Sequence, residues 1–167
     1  ILKYTPKNYD ENGVYIKDEW SSRSDIGAVY DGKPFTLEEY LDVEQRYVNV
    51  VLSIMRATNC KYMPIQYLEA AKDYIAKQIK ASKYREIDYH LLMSISLLEE
   101  GRRISIERMS DILRLALREY IFVELCYKEH GVFVKFGYDY YLNVACSLSN
   151  EELEHIARKE SLFLDPR

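Results

Sequence analysis

The 167-residue chain has no long apolar run. Its most apolar stretch, Ile112 to Cys126, is broken by Arg114, Arg118, Glu119 and Glu124. A spanning helix needs about 20 apolar residues, so no membrane span is expected. Glycine and proline are scarce, at 6 and 4, while apolar residues reach 48%. That composition excludes a mainly disordered chain. Cysteines number three, Cys60, Cys126 and Cys146, and follow no framework spacing. They read as reduced thiols in a cytoplasmic setting, with Cys126 and Cys146 as small core residues.

Histidines are also few: His90, His130 and His155. Cys126 and His130 are one helical turn apart, but a metal site takes three or four ligands and no second pair stands near. No metal and no cofactor are expected. The chain carries no glycine-rich phosphate loop and no Gly-x-Ser-x-Gly elbow. The carboxylate pairs Glu38/Asp42 and Glu107/Asp111 have helical spacing and read as solvated. No catalytic constellation is found, so an enzyme is not expected.

What the chain does have is tyrosine and an uneven charge. Its 16 tyrosines supply rigid contact area with a polar tip, which favours a binding protein. The net charge is −4, and the acidity sits at the front. Residues 1–44 hold ten carboxylates and five basic groups, which leaves the remainder slightly positive. Such a segment repels nucleic acid and anionic membrane and attracts basic partners; it also reads simply as a solvated face.

A chain of this length buries roughly 70% of its unfolded surface and forms one domain, residues 1–167. Residues 1–35 read as an irregular acidic segment packed on a helical body, with turn signals at Asn12-Gly13 and Asp31-Gly32. Thr36 and Glu39 form a capping box that opens a helix to about Thr58, with Asn59 closing it. Pro64 opens a second helix carrying Ile65, Leu68, Ala71, Ile75 and Ile79. A third is expected from Ile87 to Glu100. A fourth, apolar almost all round, is expected from Ser105 to His130. Val132–Phe136 and Tyr140–Val144 flank Gly137-Tyr138-Asp139 and read as a β-hairpin. Ser149 and Glu152 cap a last helix, Glu151 to Lys159. The expected fold class is therefore mainly α: about five helices with a small C-terminal β-hairpin.

The run Trp20-Ser21-Ser22-Arg23-Ser24-Asp25-Ile26-Gly27, then Asp31 through Leu41 with Val43, Glu44 and Tyr47, resembles immunity proteins of bacterial contact-dependent growth inhibition systems. The likeness is specific over about 30 residues and only one of style elsewhere. It implies a cytoplasmic protein without catalysis. Such a protein binds the C-terminal toxin domain delivered by a neighbouring cell, commonly a nuclease and often one acting on tRNA. A nuclease site is basic because it holds phosphate, so an acidic partner can occupy it as a phosphate mimic.

On this reading Asp18, Glu19, Asp25, Asp31, Glu38, Glu39 and Asp42 face the toxin, with Trp20 and Tyr30 as anchors. The hairpin tip, Tyr138, Asp139 and Tyr140, is a second candidate surface. Direct contact with nucleic acid or membrane is not expected. Two other classes stay open. One is a helical adaptor or transcriptional regulator using Arg102, Arg103, Arg108, Arg114 and Arg118. The other is a small hydrolase with an unrecognised site.

Overall fold

A computed structural model describes residues 1–165. The N-terminal segment contains two 3₁₀ turns, Pro6–Asn8 and Arg23–Asp25, and a two-residue hairpin, β1 (Val29–Tyr30) with β2 (Lys33–Pro34). Asp31 and Gly32 turn that hairpin with positive φ, as the Asp-Gly pair requires. Helix α1 (Leu37–Ala57) follows, then strand β3 (Tyr62–Glu69), helix α2 (Lys72–Ala81) and the single turn α3 (Arg85–Asp88). A 3₁₀ stretch, Tyr89–Leu97, leads to β4 (Arg103–Ser105) and α4 (Ile106–Leu117). The chain ends with β5 (Phe122–Tyr127), β6 (Val132–Phe136), β7 (Leu142–Ala145) and α5 (Asn150–Lys159).

Strands β4, β3, β5, β6 and β7 lie in that order in one antiparallel sheet. The fold is mixed α and β, which corrects the mainly α expectation. Three of the expected helices change. Residues 62–69 are a strand in which Met63 and Ile65 face inward, and the helix begins only at Lys72. Pro64 sits where pairing of β3 passes from β4 to β5, beside a register shift between Ile65 and Tyr67. A residue without an N–H is tolerated at such an irregularity. The expected third helix is one α turn continued as 3₁₀. The expected fourth helix is twelve residues long and gives way to β5.

That last break has a local cause. Glu119 takes a left-handed φ of 60° directly after α4. The Tyr120 N–H donates to the Leu115 carbonyl (2.9 Å) and the Glu119 N–H to that of Ala116 (3.0 Å). This is the Schellman closure, here with glutamate where glycine is usual. The same closure ends α1 at Asn59 and α5 at Ser161. Both expected capping boxes are formed, Thr36 with Glu39 and Ser149 with Glu152. The expected hairpin is β6 and β7, joined through Tyr138–Tyr140.

One contiguous core holds the molecule together. Tyr47, Val51, Ile54 and Met55 of α1 and Ile112, Leu113 and Leu115 of α4 meet the inward residues of the sheet, among them Ile65, Leu125 and Val134. The N-terminal segment is fastened to this body at several points. Leu2 exchanges backbone hydrogen bonds with Phe163 (2.8 and 2.9 Å), and the Ile1 amino group donates to the Leu142 carbonyl on β7 (2.8 Å). Tyr4, Tyr9 and Tyr15 pack together, and Tyr4 reaches Tyr141.

Candidate functional site

A groove of about 770 Å³ lies at the end of the sheet where β5 begins and β6 ends. Its floor is apolar: Leu117 and Ile121 around the end of α4, Phe122 and Val123 of β5, and Phe136 of β6. Its rim is polar and mostly acidic. Glu69 closes β3, Glu119 occupies the left-handed position after α4, and Asp139 stands in the β6–β7 turn. Ser21 and Ser22 of the N-terminal segment form one side. Lys135 is the cation of the lining, and its Nζ is paired with Glu124 at 3.0 Å.

Two exposed tyrosines flank the groove. Tyr138 is 94% exposed. Tyr67 packs edge-on to Phe122, and its hydroxyl donates to Glu69 (2.6 Å). Burial, with Asp25 nearby, raises the Glu119 carboxyl above its ordinary value. The Ser22 side chain is already used: it accepts from the Ser24 N–H and caps the turn at Arg23. The lining thus presents an apolar floor and negative charge. Among the described residues no group of three or more His, Cys, Asp or Glu side chains could hold a metal ion.

The residues singled out in the sequence divide between this groove and the scaffold. Tyr138 and Asp139 stand at the rim. Tyr140 lines the inner wall but is only 5% exposed, so it is not part of an exposed tip. Its hydroxyl lies 2.8 Å from that of Tyr40 and 2.8 Å from the Leu117 carbonyl, and burial pushes both phenols far above their ordinary pKa. Trp20 is half-buried: it stacks on Phe35 (4.4 Å between centroids) and meets the Tyr140 ring edge-on at 5.2 Å. It packs the segment onto the core, as does Tyr30 against Phe35.

Several of the carboxylates are committed within the chain. Asp25 accepts from the Ser21 and Ser22 N–H groups, and Glu39 accepts from that of Thr36. Glu19 accepts from the Tyr15 hydroxyl and pairs with Lys17, which also reaches Asp31. Asp42 pairs with Arg46. Asp18 and Glu38 are exposed. Twelve of the sixteen tyrosines are at least half-buried, leaving Tyr67, Tyr74, Tyr89 and Tyr138 exposed.

A buried ionic network escaped sequence reasoning. Arg118 donates from Nε and Nη2 to the two oxygens of Glu44 (2.7 Å each) and from Nη1 to Asp88 (2.7 Å). Asp88 also accepts from Arg23 and from the Tyr120 hydroxyl (2.8 Å each). Arg114 lies 3.5 Å from Glu44. Two arginines of the supposed nucleic-acid face are therefore consumed inside the molecule, while Arg102, Arg103 and Arg108 are exposed. Comparison of the chain with protein-family models, with curated proteins and with solved structures returned no match.

Proposed function

We propose that this chain is a cytoplasmic immunity protein that binds the toxin domain of a contact-dependent growth inhibition system and neutralises it without chemistry of its own. The observation that carries the reading is the groove: an apolar floor inside an acidic rim, bordered by the exposed ring of Tyr138. An apolar centre surrounded by charge is the anatomy of a protein-binding surface, and exposed tyrosine is a favoured anchor. The acidic rim fits a nuclease toxin, whose own surface is basic because it holds phosphate. The sequence resemblance over residues 20–47 points the same way.

The test is co-expression with the C-terminal domain of the large secreted protein encoded directly upstream. A stoichiometric complex on size exclusion, with survival of cells that the domain otherwise kills, is the expected result. Two separate peaks and no protection would overturn the reading.

A further inference from the structure

We infer that the groove seats a basic segment of the partner, one in which an arginine or lysine is flanked by apolar side chains. The identity of the partner rests on the toxin-binding reading; the chemistry of the segment does not.

Shape and charge select this occupant together. The floor of Ile121, Phe122 and Phe136 is apolar, so the occupant must bring apolar surface. A volume near 770 Å³ falls in the range that takes a drug-sized ligand, about 300–1,000 Å³, which gives room for a few side chains. The lining holds Glu69, Glu119 and Asp139 against Lys135, which already serves Glu124, while Lys3 and Arg23 act on Asp139 and Glu119 only from beyond ion-pair distance. Glu119 and Asp139 have no ion-pair partner within 4 Å among the described residues. An anionic segment or an RNA would meet like charge here. A wholly apolar one would leave the carboxylates facing it without a cation.

The backbone that carries both carboxylates is also fixed. Glu119 stands on the hydrogen-bonded closure of α4. Asp139 stands in a turn tied by the Gly137 N–H to the Tyr141 carbonyl (2.7 Å) and the Tyr141 N–H to that of Tyr138 (3.1 Å). A backbone fixed before binding loses little freedom on binding. Tyr138, next to Asp139 and almost fully exposed, adds an aromatic ring on which a cation can rest. The partial loss of water that raises the exposed Glu119 carboxyl also strengthens its attraction for an arriving cation.

The experiment is an amide-resolved NMR titration of the whole chain with two capped hexapeptides. Both carry the same phenylalanines; one has arginine where the other has glutamate. The arginine peptide is expected to shift the amides of 121–123 and 136–140 saturably, and the glutamate peptide to leave them in place. Glu119→Gln with Asp139→Asn should weaken the arginine peptide about tenfold, since two partly exposed charge contacts are lost. Glu129→Gln with Glu151→Gln, the same change of net charge at two exposed positions outside the groove, should leave affinity unchanged. Tyr138→Ala gives an independent reading by weakening binding at an exposed ring.

Equal response to both peptides, shifts confined to other surfaces, or no shift at all would overturn the inference. So would a concentration-dependent dimer abolished by the groove variants, which would seat a second copy there. A toxin complex whose affinity ignores the groove variants sinks the groove and leaves the function standing. Arginine-peptide binding without a toxin complex sinks the function and leaves the groove standing.

Discussion

The Arg23 guanidinium meets the Asp88 carboxylate at 2.8 Å across 65 residues of sequence, and both groups are buried. This contact draws the N-terminal segment against the turn of α3. Because Asp88 also accepts from Arg118, which grips Glu44, one carboxylate joins the segment to α1, α3 and α4. The same segment supplies the Ser21 and Ser22 side of the groove, so the ionic network anchors one wall of the candidate site through Arg23.

Removing the charge of Asp88 is therefore expected to cost far more than a surface ion pair. Asp88→Asn leaves Arg23 and Arg118 buried around a neutral amide. Breaking a buried network in this way costs about 3–5 kcal/mol, to be read by urea unfolding. A loss below about 1 kcal/mol would show that water reaches the guanidinium groups and replaces the carboxylate. The pH dependence has a fixed sign. Burial by itself would raise the Asp88 carboxyl, but the hydrogen bonds from Arg23 and Tyr120 and the two guanidinium charges outweigh it and hold the group below its ordinary value. Its contribution is complete above the unfolded carboxyl pKa, about 3.9, and disappears as pH falls through the lower folded value. Hydrogen-exchange protection at residues 22–26, taken relative to the intrinsic rate at each pH, should hold at pH 5 and fall in that acid range, ahead of protection in the sheet.

Lys3 behaves in the opposite sense. Its Nζ is buried without a hydrogen bond, lies 4.0 and 4.2 Å from the ring centroids of Tyr4 and Trp20, and stands 3.6 Å from Glu19. Burial brings its pKa down to about 8, which Glu19 only partly offsets. A lysine whose folded pKa lies below its unfolded one costs stability in full at pH values below the folded pKa. That cost fades as pH rises toward the unfolded value. Lys3→Met should raise stability at pH 7 by about 2 kcal/mol, and the advantage should shrink between pH 8 and 10. An advantage that is flat across that range would mean that methionine gains by packing alone.

The helices that begin with a capping box were legible in the sequence, because Thr36 with Glu39 and Ser149 with Glu152 act within four residues. The β6–β7 hairpin was legible for the same reason: its alternation and its turn are local. Strand β3 was not. The residues Ile65, Leu68, Ala71, Ile75 and Ile79 fall at helical intervals although the first two belong to a strand and the last two to α2. The end of α4 was hidden because glutamate stands where a glycine would have marked the stop. Of the groove lining, the sequence pointed to Tyr138, Asp139 and Tyr140. It did not point to Glu69 and Glu119, which reach the rim only through the order of strands in the sheet. The partners of Asp88 lie 30, 32 and 65 residues away, at separations that no local pattern reports.

Two neighbouring tyrosines should respond in opposite ways. Tyr140→Phe removes a buried hydroxyl that lies within reach of Tyr40 and the Leu117 carbonyl, and should cost about 1–2 kcal/mol with partner affinity unchanged. Tyr138→Ala removes an exposed ring and should leave the melting temperature unchanged while lowering affinity. Calorimetric melting alongside a binding titration separates the two. A stability loss in Tyr138→Ala with unchanged affinity would assign the tip to the scaffold. The same contrast is expected between Glu39, whose alanine variant loses the carboxylate that accepts from the Thr36 N–H, worth about 0.5–1 kcal/mol, and Glu38, whose variant stays stable.

Glu119 brings stability and binding into direct conflict. It occupies a left-handed conformation that glycine adopts without penalty, at a helix end where glycine is the usual residue. Glu119→Gly removes that strain, while glycine also gives the unfolded chain more freedom. The net gain should be about 0.5–1 kcal/mol, or a few degrees of melting temperature. The same substitution deletes a carboxylate from the groove rim, so the association rate with a basic partner should fall, and most strongly at low salt where charge steering is greatest. Stopped-flow association at two ionic strengths, read beside thermal melting, checks both effects in one variant. A more stable protein that associates more slowly would identify Glu119 as kept for contact at the expense of the fold. A more stable protein that associates at the original rate at every salt concentration would remove Glu119 from the binding surface.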